Sequence, residues 1–169
     1  MKLLFTAGTQ FDFPRLGEVV EQVALQRPQW QLTFQAGPGA SLEGLGEWPN
    51  VLARPLFPSE EFQALFEAAD LVVTHAGMGN IIACLEAGKP VMMLPRRAEF
   101  GEHRNDHQID TAEAFLRMYN VPAYESVPQL VSAIVEPAGW PQGETGAAER
   151  IHRTRSAFAQ EFNALLRNL

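Results

Sequence analysis

Residues 69–108 read ADLVVTHAGMGNIIACLEAGKPVMMLPRRAEFGEHRNDHQ, and no other stretch restricts the fold as strongly. An apolar run, Leu71-Val72-Val73, stops at His75-Ala76-Gly77-Met78-Gly79-Asn80. A short helical segment follows, then Gly88-Lys89-Pro90 and a second apolar run, Val91-Met92-Met93-Leu94. The chain then enters a loop crowded with Arg96, Arg97, His103, Arg104 and His107. Strand, glycine turn, helix, strand and polar loop make a βαβ unit, whose two functional loops lie on one edge of a parallel sheet. Ligands of such sheets bind outside the carboxyl ends of the strands. A glycine turn before a helix lets backbone N–H groups meet an anion there.

The flanking pattern extends this unit. Residues 3–7 read as a buried strand ending at Gly8-Thr9, and Pro14 opens a helix to about residue 26 with Leu16, Val19, Val20, Val23 and Ala24 on one face. Strands are expected at 30–35 and 51–56, around a Gly- and Pro-rich loop over 37–50. A helix follows with Ser59 as cap and Phe62, Leu65, Phe66 and Ala69 on its buried stripe. Helices over 106–118 and 126–135, the second capped by Ser126, flank a short strand over 121–124. A final helix carries Ile151, Phe158, Phe162, Leu165, Leu166 and Leu169. Strands alternating with helices throughout predict an α/β fold: one Rossmann-like three-layer α/β/α domain over 1–169, with a mostly parallel sheet.

The 169 residues, 46% hydrophobic and 20% charged, suit one soluble globular domain with a real core. A formal charge of −7 argues against a broad nucleic-acid surface, so an anionic ligand needs local positive charge. The loop from Arg96 to His107 is the candidate source. Cys84 is the only cysteine, which rules out a disulfide framework and suits a reducing compartment. Residues 1–5 read as a strand rather than a secretory signal, and no stretch approaches the ~20 apolar residues of a membrane span. A cytoplasmic protein is expected, with room for a partner on the membrane.

The turn from Gly77 to Asn80 carries the strongest chemical signal. Its glycines allow close approach, and the helix they open points unpaired N–H groups and a positive dipole outward. His75 is placed to donate to a phosphate oxygen. A ligand-free strand-to-helix turn is the plain alternative. Neither Gly8-Thr9-Gln10 nor Gly77-Met78-Gly79 completes G-x-G-x-x-G, and no Walker A lysine follows, so NAD and ATP have little support. In the polar loop, Asp106 and Gln108 are candidates for vicinal sugar hydroxyls, and Arg96 or Arg97 for a diphosphate or carboxylate. A solvated charge run with Glu99, Glu102 and Asp106 as partners is the alternative. His103 and His107 have a helical zinc spacing but no third ligand, so no metal site is expected. No serine sits in a G-x-S-x-G elbow.

These residues together resemble the carboxy-terminal, donor-binding half of the GT-B glycosyltransferases of family 28, above all the small catalytic subunits of two-component enzymes. The resemblance rests on Gly8-Thr9 with Phe11-Asp12, Thr74-His75-Ala76-Gly77-Met78-Gly79, Gly88-Lys89-Pro90, Pro95-Arg96-Arg97, Gly101-Glu102-His103 and Asp106-His107-Gln108. It implies a donor diphosphate against Gly8, Thr9, His75 and the helix start at Gly77, Met78, Gly79 and Asn80. It implies uracil near Phe57-Pro58 and the sugar near Arg96, Arg97, Glu102, His103, Asp106, His107 and Gln108. Many relatives hold the ribose with a glutamate at the position of Ala83, so Glu86, one turn later, is the candidate substitute.

The resemblance further implies an inverting, metal-independent transfer from a UDP-sugar, with no cofactor. The sugar is glucuronate, glucose or N-acetylglucosamine, and the acceptor a lipid-linked saccharide in exopolysaccharide biosynthesis. A GT-B enzyme needs two α/β domains and this chain has room for one. A membrane-associated acceptor-binding subunit is therefore expected to supply the other half and the catalytic base, and to recruit the chain to the cytoplasmic face. The competing expectation is a non-catalytic nucleotide-sugar sensor; a sugar-nucleotide epimerase on this architecture needs both domains in one chain.

Overall fold

A computed structural model describes residues 1–142, 146–154 and 156. Five strands, β1 (Lys2–Thr6), β2 (Gln31–Gln35), β3 (Val51–Arg54), β4 (Leu71–Thr74) and β5 (Val91–Met93), form one sheet in the order β3-β2-β1-β4-β5. Every pairing is parallel, with Phe5 flanked by Phe34 and Val73. The fold is α/β and Rossmann-like, as the alternation of strands and helices predicts.

Period-two alternation sorts the apolar side chains into two cores, because successive residues of a strand face opposite sides. Leu3, Phe5, Leu32, Phe34, Leu71, Val73 and Met92 face α1 (Pro14–Gln26) and α5 (Val127–Ile134). Leu4, Val72, Val91 and Met93 face the layer containing α2 (Ser59–Ala68), α3 (Met78–Glu86) and α4 (His107–Tyr119). Burial of β4 and β5 on both faces explains their unbroken apolar sequence. No helix among the described residues is long and apolar enough to cross a membrane.

The differences from expectation lie at element ends. β3 stops at Arg54 because Pro55 cannot donate to a ladder. Residues 121–124 form a single parallel bridge, Met93 to Ala123, rather than a strand, and Pro122 again lacks the N–H a ladder needs. Ser59 is the first residue of α2, behind Pro58 at the cap position. Ser126 does occupy the cap position of α5 but its hydroxyl makes no capping bond. α4 ends at Asn120, whose φ of 51° places it in the left-handed conformation that closes helices. Residues 147–154 are helical and bury Ala147 and Ile151, whereas Phe158, Phe162, Leu165, Leu166 and Leu169 lie outside the described residues.

Candidate functional site

Chain order reverses at β1, the point where open α/β sheets gather ligands. The loops after β1 and β4 emerge side by side there. They bound a cleft of about 710 Å³, closed further by the β3–α2 connection and the start of α4. Gly8, Thr9, Phe57, His75, Gly77, Met78, Gly79, Asn80, Arg96, His103 and Gln108 from the sequence reading all line it. No described Asp or Glu side chain does, although the chain as a whole is acidic.

α3 opens onto this cleft with no side-chain cap, so the N–H groups of its first turn remain available. Asn80 does not cap them: its Nδ2 donates inward to Thr74 Oγ1 at 3.2 Å. The glycines divide into two roles. A Cβ on Gly77 would lie 2.0 Å from His75 Cε1, and one on Gly8, where φ is +82°, 2.7 Å from His75 Nε2. Gly8 and Gly77 therefore make room for the imidazole. Gly79 faces open space, with nothing within 4 Å of a Cβ, and is the glycine that leaves the helix start clear for a ligand.

His75 is held neutral. Burial, then the Arg96 charge, lowers its pKa to about 4. Its Nδ1 faces the Gln108 carboxamide at 3.3 Å. Gln108 Oε1 in turn accepts from the N–H groups of Ala76 (3.1 Å) and Arg96 (3.0 Å), tying the two loops together. Gln108 thus borders the cleft with most of its hydrogen-bonding capacity committed to protein, not directed wholly at a sugar.

The polar loop differs more from expectation. Arg96 is 2% exposed, and its guanidinium donates to four carbonyls, those of Ala7, Phe11, Asp12 and Glu102, while lying 4.4 Å above the Phe13 ring. It buttresses the β1–α1 loop from behind and offers the cleft its charge rather than a free fork. Glu102 pairs with Arg15 and accepts from Arg97 N–H, which makes it a brace of the loop. Arg97 turns outward to Glu99 and Glu125. Asp106 accepts from Ala98 N–H at 2.9 Å, and His107 is exposed beside Asp110. Of Arg97, Glu102, Asp106 and His107, none lines the cleft. The reason is local: a loop of this length needs internal ion pairs and N–H acceptors to hold its shape, and these side chains supply them. His103 precedes α4, which starts only at His107, so the helical zinc spacing is not realised.

Glu86 likewise stands apart from the cleft. It ends α3, eight residues after Met78, roughly 12 Å along the axis at ~1.5 Å per residue, and is absent from the cleft lining.

A family model described as the glycosyltransferase family 28 C-terminal domain matches residues 2–161. The chain belongs to this family. Among curated relatives of this family 28 domain, the UDP-N-acetylglucosamine transferase subunit ALG13 of Candida albicans is 31% identical over 72 residues, covering 43% of this chain and 23% of the relative. The NDP-glycosyltransferase YjiC of Bacillus subtilis is 28% identical over 99 residues, covering 57% and 24%. The chain thus spans about a quarter of the length of these relatives. Among solved structures, the glycotransferase of kitacinnamycin superposes with a TM-score of 0.62 at 29% identity, over 92% of this chain and 38% of that one. An ALG13 solution structure matches with a TM-score of 0.59 at 15% identity, over 90% and 94%. The architecture is that of the carboxy-terminal half of the GT-B fold.

Two residues of this family 28 domain escaped the sequence reading. Gln35, 4% exposed, donates to Gly8 O (3.2 Å) and accepts from Phe57 N–H (3.2 Å), so it fixes the β3–α2 loop to the β1 loop. Arg15 braces the polar loop through Glu102 and Pro95 O. Gln35 ends a strand, Gln31-Leu32-Thr33-Phe34-Gln35, that alternates polar and apolar residues, so nothing in the sequence set it apart. Arg15, on a helix with no local partner, offered no signal either.

Proposed function

We infer that this chain binds the nucleotide-sugar donor of an inverting glycosyl transfer. The observation that carries it is a cleft without carboxylates, in an acidic chain, where the uncapped start of α3 meets a neutral histidine. Membership of family 28 supports reading the anion as a nucleoside diphosphate sugar. The diphosphate lies against Gly8, Thr9 and the first turn of α3, the base against Phe57 and Phe62, and the sugar toward His103. UDP is the proposed nucleotide, supported by the Candida relative's name. As the glycosidic bond to the diphosphate breaks, the helix N-terminus and the Arg96 charge stabilise the departing anion in place of a metal ion.

The Candida relative, named as a transferase subunit, supports the second half of the proposal: the base that deprotonates the acceptor comes from a partner protein. That protein is a membrane-associated, acceptor-binding subunit, which docks over the carboxyl edge of the sheet at the cytoplasmic face and presents a lipid-linked saccharide. Calorimetry with UDP, dTDP, GDP and UDP-sugars tests the donor site. Transfer assays with this chain, its partner and both together test the division of labour. Binding of UDP and turnover only with both proteins are expected. Turnover by this chain alone overturns the shared-site proposal, and binding without turnover in the complete mixture assigns the chain to nucleotide-sugar sensing.

A further inference from the structure

The contact between Gln108 and His75 has a chemical direction. Two backbone donors, Ala76 N–H and Arg96 N–H, converge on one end of the Gln108 carboxamide. That end must be oxygen, so the end facing His75 is the NH2 group. An NH2 group can only donate. His75 Nδ1, 3.3 Å away, must therefore offer a lone pair, and the ring proton resides on Nε2. Nε2 lies at the Gly8 edge of the ring, where His75 borders the cleft, and among the described residues it meets no protein acceptor.

We propose that Gln108 is a positioning residue that holds His75 in its Nε2–H form and so aims a neutral N–H donor at the donor diphosphate, the last step resting on the nucleotide-sugar reading above. The polarity cannot reverse on its own, because turning the amide over would set an NH2 group against two backbone N–H groups. Two groups of the loop after β5 bear on the same ring. Arg96 and His103 are the charged and titratable side chains facing it, and both disfavour an imidazolium, as burial does first. A hydrogen bond to an amide oxygen would oppose them, but the oxygen is already occupied. A neutral, oriented donor suits a group that must bind a diphosphate without trapping the product as a tight ion pair.

Nitrogen-15 long-range spectra distinguish the two neutral tautomers and the cation, and the chain has four histidines, so His75→Gln identifies the signal. In the ligand-free protein His75 is expected to be neutral and protonated on Nε2 from pH 7 to pH 5. In Gln108→Glu one carboxylate oxygen keeps the backbone donors while the other accepts from Nδ1–H. The proton should then move to Nδ1 or the ring should charge, with its titration raised. An unchanged tautomer and titration in Gln108→Glu would overturn the proposal. A second arm uses UDP calorimetry. Gln108→Ala should weaken UDP about three- to tenfold, the range of one lost hydrogen bond, and have no further effect in a His75→Ala background. Additive losses would also overturn it. A wild-type chain that binds no nucleoside diphosphate would instead overturn the nucleotide-sugar reading, and the spectra would still decide what Gln108 does to His75.

Discussion

Arg15 at the start of α1 and Glu102 in the loop after β5 meet in a two-pronged ion pair, with Nε to Oε1 at 2.6 Å and Nη2 to Oε2 at 2.7 Å. Their side chains are 14% and 5% exposed, so little water screens the pair. Arg15 also lies 4.7 Å from the centre of the Phe100 ring. Removing one partner leaves a poorly solvated charge. Glu102→Gln and Arg15→Met should each destabilise the fold by about 3 kcal/mol, the lower end of what breaking a buried pair costs. Urea titration of both variants and the double variant checks this. The double variant should be more stable than the sum of the single losses predicts.

Arg96 should not tolerate lysine. An ammonium has three donors on a flexible stem and cannot reach four carbonyls while stacking on Phe13. Arg96→Lys is expected to cost about 3 kcal/mol or more, since bonds from a charged donor are worth ~1.5–3 kcal/mol each. Thermal unfolding measures it. A fully stable variant that has lost only UDP affinity would show that Arg96 serves the ligand first.

The glycines of the turn should separate cleanly. Gly77→Ala drives a methyl into the His75 ring and should lower the melting temperature markedly. Gly79→Ala meets nothing and improves helix propensity by up to about 1 kcal/mol. Gly79→Val should fold yet bind UDP at least tenfold more weakly, about 1.4 kcal/mol. Calorimetry beside a melting curve distinguishes the two effects.

His75 gives stability a pH dependence of known sign. Its pKa is about 4 in the folded chain against 6.5 for an ordinary histidine. Above about 6.5 the ring is neutral in both states. Between there and 4 only the unfolded chain takes up the proton, so the contribution is lost as pH falls through that window. Urea unfolding from pH 7 to pH 4 should show a steeper loss for wild type than for His75→Gln. Parallel curves would refute the assignment.

Sequence alone determined the layers, the mostly parallel sheet and the edge on which the glycine turn and polar loop lie, because period-two and helical apolar patterns are local signals. The strand order that puts the cleft beside β1 came from the tertiary structure. Sequence also located the helix start between Gly77 and Asn80, since two glycines after a buried strand admit few conformations; the structure sets it at Met78. What it left undecided was the job of each polar side chain. Arg96, Glu102 and Asp106 look like ligand-binding groups in a list of charges, yet their partners lie in Asp12, Arg15 and Ala98, brought close only by folding. Gln35 and Gln108 are similar cases: each joins loops far apart in the chain, and which way an amide points depends on the backbone groups that meet it. Tertiary structure decides such roles because a buried donor must find an acceptor wherever the fold supplies one, at whatever separation in sequence.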